Sequence, residues 1–81
     1  MRVHFTATAE DDLQRLPAYL QKRILAKLEL YATQPEPLEF AEPVTGESYH
    51  RFRVGDYRLF FEVIGEVLWI LRVKRRDQAY R

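Results

Sequence analysis

Arginine alternates with apolar residues in Arg51-Phe52-Arg53-Val54, and the alternation resumes after Gly55-Asp56 in Tyr57-Arg58-Leu59-Phe60-Phe61-Glu62-Val63. A second basic run, Leu71-Arg72-Val73-Lys74-Arg75-Arg76, repeats the pattern near the C-terminal end. Guanidiniums gathered on one surface bind phosphate oxygens and stabilise negative charge that develops at a transferring phosphoryl group. They are poor proton carriers, because arginine stays protonated at any working pH. The chain has no cysteine, and His4 and His50 show no metal-ligand spacing, so neither a thiolate site nor a metal centre is expected.

Period-two alternation on both sides of a Gly-Asp dipeptide is the pattern of two half-buried strands joined by a tight turn. A two-residue turn at Gly55-Asp56 sets Val54 opposite Tyr57, Arg53 opposite Arg58 and Arg51 opposite Phe60. Arg51, Arg53 and Arg58 then share one face, and Phe52, Val54, Tyr57, Leu59, Phe61 and Val63 share the other. Like charges directly across strands repel, so such a face suits an anion; the plainer reading has the guanidiniums splaying to Asp56, Glu62 and solvent.

The second turn, near Ile64-Gly65-Glu66, is less determined. An even loop sends Arg72 and Lys74 inward, and burying two unpaired cations costs several kcal/mol. An odd, three-residue loop pairs Val63 with Val67, turns Trp69, Leu71 and Val73 to the core and brings Arg72 opposite Arg58. Leu68, Ile70 and Phe60 then lie on the arginine face, where Glu62 is expected to pair with Arg53 or Arg72.

Upstream, Arg2-Val3-His4-Phe5 reads as a short strand, with Thr8 and Asp11 resembling a weak capping box. An amphipathic helix follows from about Ala7 to Leu16, and a second runs from Pro17 to the break at Gln34-Pro35-Glu36-Pro37. Lys22, Arg23 and Lys27 lie on its polar side, as a solvated face or as an aid to approaching RNA. Residues 35–48 hold three of the four prolines and Glu36, Glu39, Glu42 and Glu47, the composition of a loop with an acidic rim. The expected order is β-α-α-β-β-β in one domain, 1–81. The fold class is α+β, with two N-terminal antiparallel helices packed on one face of an antiparallel sheet.

Charge is divided unequally. Residues 1–50 carry five Lys/Arg against eight Asp/Glu, and residues 51–81 carry eight against four, so a net charge of +1 hides a basic strand half. That asymmetry points to a polyanionic partner. The longest uninterrupted apolar run, Val67 to Leu71, is too short to span a bilayer, so no membrane partner and a cytoplasmic location are expected.

The chain resembles toxins of the RelE/ParE superfamily of type II toxin–antitoxin systems over nearly its whole length. The resemblance rests on Tyr49-His50-Arg51-Phe52-Arg53-Val54-Gly55-Asp56-Tyr57-Arg58, on Leu71-Arg72-Val73-Lys74-Arg75-Arg76-Asp77, and on Tyr80. It implies the microbial RNase-like RelE fold and a metal-free, ribosome-dependent mRNA endonuclease acting in the A site of the 30S subunit. In that reaction the nucleotide's 2′-hydroxyl attacks the adjacent phosphorus, leaving a 2′,3′-cyclic phosphate and a free 5′-hydroxyl. It implies no cofactor, and a RelB-like cognate antitoxin as partner.

By the same resemblance, Arg51 and Arg53 match two basic strand positions that are often lysine in RelE-type enzymes. Arg58 matches the arginine that stabilises the transition state, Arg76 the basic residue after the last strand, and Tyr80 the tyrosine that stacks on the substrate. Arg72, Lys74, Arg75, Lys22, Arg23 and Lys27 are the further phosphate- or RNA-binding candidates. Two departures concern the proton chemistry: Lys74-Arg75-Arg76 stands where many members have Gly-His-Arg, and arginine replaces lysine at 51 and 53. Tyr80, Lys74, His50 and Glu47 are the candidates left for it, although His50 falls on the core side. Two other readings stay open: a ParE-like toxin that inhibits DNA gyrase without enzymatic activity, and a nucleic-acid- or partner-binding module.

Overall fold

The computed structural model describes residues 1–78 and runs β1 (Arg2–Phe5), α1 (Ala7–Gln14), α2 (Ala18–Ala32), a 3-10 turn (Pro37–Phe40), β2 (Glu42–Pro43), β3 (His50–Val54), β4 (Tyr57–Ile64) and β5 (Val67–Arg75). The expected α+β order is present. The segment read as an acidic loop adds the 3-10 turn and the two-residue strand β2. α1 is capped by Thr6, not Thr8: its hydroxyl accepts from the Ala9 N–H at 3.1 Å and donates to the Leu71 carbonyl at 3.2 Å.

The strands lie in the order β1-β5-β4-β3-β2. The sheet is mixed rather than wholly antiparallel, because β1 joins β5 in parallel, with Val3 beside Leu68 and Phe5 beside Ile70. Alternation within β1 specifies which residues turn inward, but not which strand it pairs with. Both helices pack on one face. Ala9, Leu13, Ile24, Leu28 and Ala32 close over Phe52, Val54, Leu59, Phe61, Leu68, Ile70 and Val73. Phe52 stacks on Phe61 at 4.2 Å and on Tyr31 at 4.7 Å, which ties the first hairpin to α2.

The first hairpin has the anticipated register, with Arg53 opposite Arg58 and Arg51 opposite Phe60. The second does not. Its turn is the two-residue Gly65-Glu66, which sets Ile64 opposite Val67, and a bulge then moves the partner from Ile70, opposite Phe61, to Arg72, opposite Phe60. The bulge leaves Leu71 as the extra residue and reverses the parity of β5 half-way along. Leu68 and Ile70 before it and Val73 after it all reach the core, whereas Trp69 and Leu71 are only partly buried. Lys74, not Arg72, lies opposite Arg58. An even turn plus one inserted residue thus keeps both cations out of the core, a solution that the loop length alone does not reveal.

Candidate phosphate-binding face

On the sheet face turned away from the helices, Arg53 of β3, Arg58 of β4 and Lys74 of β5 stand directly opposite one another across three adjacent strands. Neighbouring strands lie about 4.8 Å apart, so three cations occupy a span close to that of one phosphodiester and its flanking sugars. Arg51 sits two residues before Arg53 on the same side.

The members of this row are held differently. Arg58 is buried, with 3% of its surface exposed, and its Nη1 donates to the carbonyls of Gly55 and Tyr57, both at 3.1 Å. Its Nε is buried and has no hydrogen-bond partner among the described residues. A desolvated guanidinium with spare donor capacity binds an anion more strongly than one in water. Arg53 is open, with 60% of its side chain exposed. Lys74 is partly buried and makes no ion pair among the described residues.

Sequence reasoning missed Glu42. Strand β2 pairs with β3, setting Glu42 opposite Arg51. Arg51 Nη2 donates to Glu42 Oε2 at 3.0 Å and Arg53 Nη1 donates to Oε1 at 3.2 Å. The bond from Arg51 is the main cause that holds the Glu42 carboxyl below the ordinary glutamate value; desolvation pulls upward, and the Arg53 bond and the charges of both arginines add to the lowering. Four glutamates punctuate residues 35–48, and their spacing does not single out this one. The available signal is Ala41-Glu42-Pro43-Val44, since proline fits an edge strand.

The remaining candidates divide into groups. Arg72 leaves the row: its Nε donates to Asp12 Oδ2 of α1 at 2.8 Å and its Nη2 to Oδ1 at 3.3 Å. Arg75 and Arg76 lie with Asp56 and Asp77 around an open cleft of about 540 Å³, and the Arg76 N–H donates to the Asp56 carbonyl at 2.6 Å. Arg23 of α2 lies over the first hairpin turn, its guanidinium 3.4–3.5 Å from where a side chain on Gly55 would begin. Gly55 has φ +58°, so that turn favours glycine for its backbone, while a side chain there would meet the Arg23 guanidinium only at ordinary contact distance. Lys22 and Lys27 are exposed on α2, on the opposite side of the sheet from the row. Tyr80 lies outside the described residues.

Of the other groups considered for proton transfer, His50 lies opposite Phe61 with ring centroids 5.9 Å apart, a packing role. Glu47 is exposed. Glu62 pairs with neither Arg53 nor Arg72; its Oε1 accepts from the Ser48 hydroxyl at 2.7 Å. The two-residue turn sets Glu62 opposite Trp69, and the bulge that follows sets Arg72 opposite Phe60.

Residues 3–80 match the family described as ParE toxin of type II toxin-antitoxin system, parDE. The chain belongs to the RelE/ParE superfamily of type II toxins. It is 38% identical to Toxin RelG of Mycobacterium tuberculosis, over 98% of this chain and 94% of that one. It is 31% identical to Toxin RelE3 of Methanocaldococcus jannaschii, over 99% and 96%. In structure it superimposes on the toxin–antitoxin complex RelBE2 of M. tuberculosis with a TM-score of 0.75 and 32% identity, covering 93% of this chain and 96% of that one. The toxin thus has the RelE fold, and no helix among its described residues is long and apolar enough to cross a membrane.

Proposed function

We propose that this toxin is a ribosome-dependent mRNA endonuclease, using the face built on Arg53, Arg58 and Lys74 to hold the scissile phosphate. The observation that carries this reading is the three-strand row itself, because repulsion between directly opposed cations is relieved when a phosphate lies across them. Attack of the 2′-oxygen forms a bond to phosphorus while the bond to the 5′-oxygen breaks. The products are a 2′,3′-cyclic phosphate and a 5′-hydroxyl. Charge accumulates on the non-bridging oxygens in the transition state, and fixed donors aimed at them lower the barrier. Arg53 and Lys74, more open than Arg58 between them, make the first contact; Arg58 supplies the poorly solvated charge. Arg75, Arg76 and Arg23 extend positive charge past the hairpin turn, where the message or ribosomal RNA passes.

The partners in this reading are mRNA, the A site of the 30S subunit and a small RelB-like antitoxin that lays acidic residues across the row, all in the cytoplasm. The M. tuberculosis relative was crystallised as a toxin–antitoxin complex. Primer extension in a translation extract tests the activity: the wild-type toxin is expected to cut within codons, and Arg53→Ala/Lys74→Ala to leave the message intact. Intact message with both proteins overturns the reading.

Gyrase inhibition is the second reading. It is favoured by the ParE description of the matching family and by arginine at 51 and 53, which removes the usual lysines. A supercoiling assay separates the two, since inhibition there beside intact message reverses the ranking.

A further inference from the structure

We infer that Trp69, with His4 beside it, is a stacking platform for one nucleobase of the message, and that Glu62 reads the edge of that base; this deepens the nuclease reading and rests on it. Leu68 and Ile70 are fully buried under the helices, so Trp69 between them points to the other face of the sheet, the one that carries Arg53, Arg58 and Lys74. His4 does the same in β1, since Val3 and Phe5 pack against the core. The parallel register sets His4 beside Trp69, with ring centroids 5.1 Å apart and planes tilted by 40°.

Distance along the sheet relates this pair to the phosphate row. Glu62, opposite Trp69, stands four residues along β4 from Arg58, or about 13 Å at about 3.3 Å per residue. A message that runs along the strands from the row reaches Trp69 within about two to four nucleotides, the larger figure applying to bases at the stacked rise of about 3.4 Å. Phe60 fills the interval, but it is 9% exposed and meets the Tyr49 ring edge-on at 5.9 Å, so it offers no open ring to a base. Trp69 is only partly buried and His4 is exposed.

Aromatic rings beside fixed cations hold single-stranded nucleic acid by dividing it: the cations take the phosphates and the rings take the bases. The carboxylate in this surface suits a base better than an apolar protein segment. Glu62 Oε1 accepts from the Ser48 hydroxyl at 2.7 Å, and its other oxygen makes no hydrogen bond among the described residues. A carboxylate repels phosphate but accepts from N–H groups on a base edge, the amino group of cytosine among them. A base stacked on Trp69 brings that edge over β4, where Glu62 stands directly across. Cytosine, adenine and guanine carry an exocyclic amino group and uracil carries none, so uracil is disfavoured at this position.

Single-turnover cleavage on programmed ribosomes tests the assignment with wild type, Trp69→Phe, Trp69→Leu and Glu62→Gln, each first shown to melt like wild type. Trp69→Leu is expected to need about 5–150-fold more ribosome for half-maximal cleavage while keeping its saturated rate, because a stack away from the reacting atoms binds substrate and transition state alike. Trp69→Phe should keep most of the affinity. An abasic message, lacking one base at about two to four nucleotides from the cut on one side, should weaken wild type to the same degree and leave Trp69→Leu unchanged. At that position, in a message without the scissile 2′-hydroxyl, 2-aminopurine should be quenched by wild type and not by Trp69→Leu. Wild type should favour cytosine over uracil there by about tenfold, and Glu62→Gln should cut both alike. Equal half-saturation for wild type and Trp69→Leu overturns the platform, and so does an abasic series without effect on wild type, which decides the matter even if the leucine variant unfolds. A loss of affinity in Trp69→Leu that no message position shares places the base in ribosomal RNA, and a Trp69→Leu that cuts like wild type but escapes the antitoxin marks a protein-docking patch; either overturns the assignment. Discrimination that survives Glu62→Gln removes Glu62 from it. Failure of the wild-type toxin to cut defeats the nuclease reading itself, whereas a cutting wild type with an indifferent Trp69→Leu defeats only the platform.

Discussion

Two carboxylates, Asp12 and Glu42, reach arginines of the same sheet from elements outside its three long strands, and their bond lengths are nearly the same. Asp12 meets Arg72 at 2.8 and 3.3 Å; Glu42 meets Arg51 and Arg53 at 3.0 and 3.2 Å. Their surroundings differ. Asp12 also takes the Val73 N–H, which ties α1 to β5 beyond the end of β1, whereas Glu42 comes from a two-residue edge strand with nearly half its side chain in solvent. Distance does not separate a buried brace from an exposed pair. What does is how many acceptor sites are already taken and how much solvent reaches the rest.

Disruption of the cationic row that the exposed pair adjoins should have the largest effect. Replacing Arg58 by Ala is expected to slow cleavage about 10²–10³-fold, the usual loss when a fixed donor to a developing anion is removed. Because Arg58 is buried, its melting curve should be taken alongside, and a loss of cleavage that merely tracks unfolding would remove Arg58 from the chemistry.

Disruption of the brace should act on stability. Asp12→Ala removes charge-assisted bonds to Arg72 and one to a strand N–H, and is expected to lower stability by about 1–2 kcal/mol, near 5–15 °C in Tm, with cleavage at low temperature retained. If Asp12→Ala instead abolished cleavage in a fully folded protein, the comparison would collapse.

The brace also has a pH signature. Burial pulls the Asp12 carboxyl upward, but the Arg72 bond, the Val73 N–H and the charges of Arg72 and Arg15 together hold it below its ordinary value of 3.8. Arg72 is raised in turn, chiefly by its bond to Asp12. A carboxyl depressed in the folded state contributes stability in full above the unfolded value, and loses it as pH falls through the folded value. The melting difference between wild type and Asp12→Asn should therefore be constant from neutral pH to about pH 5 and shrink below pH 4. A difference that grew on acidification would contradict the pairing.

The smallest effect is expected where the two pairs contrast most. Glu42→Gln should leave the thermal melt almost unchanged, since an exposed pair is screened by solvent. A larger loss would make Glu42 a second brace.

Local chemistry made part of this legible in advance. A Gly-Asp turn between alternating strands fixes pairing over a few residues, and Arg53 opposite Arg58 follows from that parity alone. The helices were equally readable, because Leu13, Ile24 and Leu28 recur at helical spacing and all are buried. The second hairpin was not, because one bulged residue reverses every side chain beyond it and no residue type marks the place; Leu71 suits either face. Nor was Glu62, whose expected partner moved with that register.

Two placements depended on contacts distant in sequence. β1 is parallel to β5 because the partly buried Val3 and Phe5 find Leu68 and Ile70 under the helices, a pairing of segments far apart in sequence. Glu42 reaches Arg51 and Arg53 because β2 lies along the outer edge of β3. By itself, then, the sequence determined the helix pair, the first hairpin and a face bearing opposed arginines, all consequences of periodicity and of one tight turn. Only the tertiary structure decided that Lys74 completes the row, that Arg72 leaves it for Asp12, and that one glutamate of four joins it. A bulge, a helix edge and a two-residue strand act between segments, and alternation along a single segment carries no information about them.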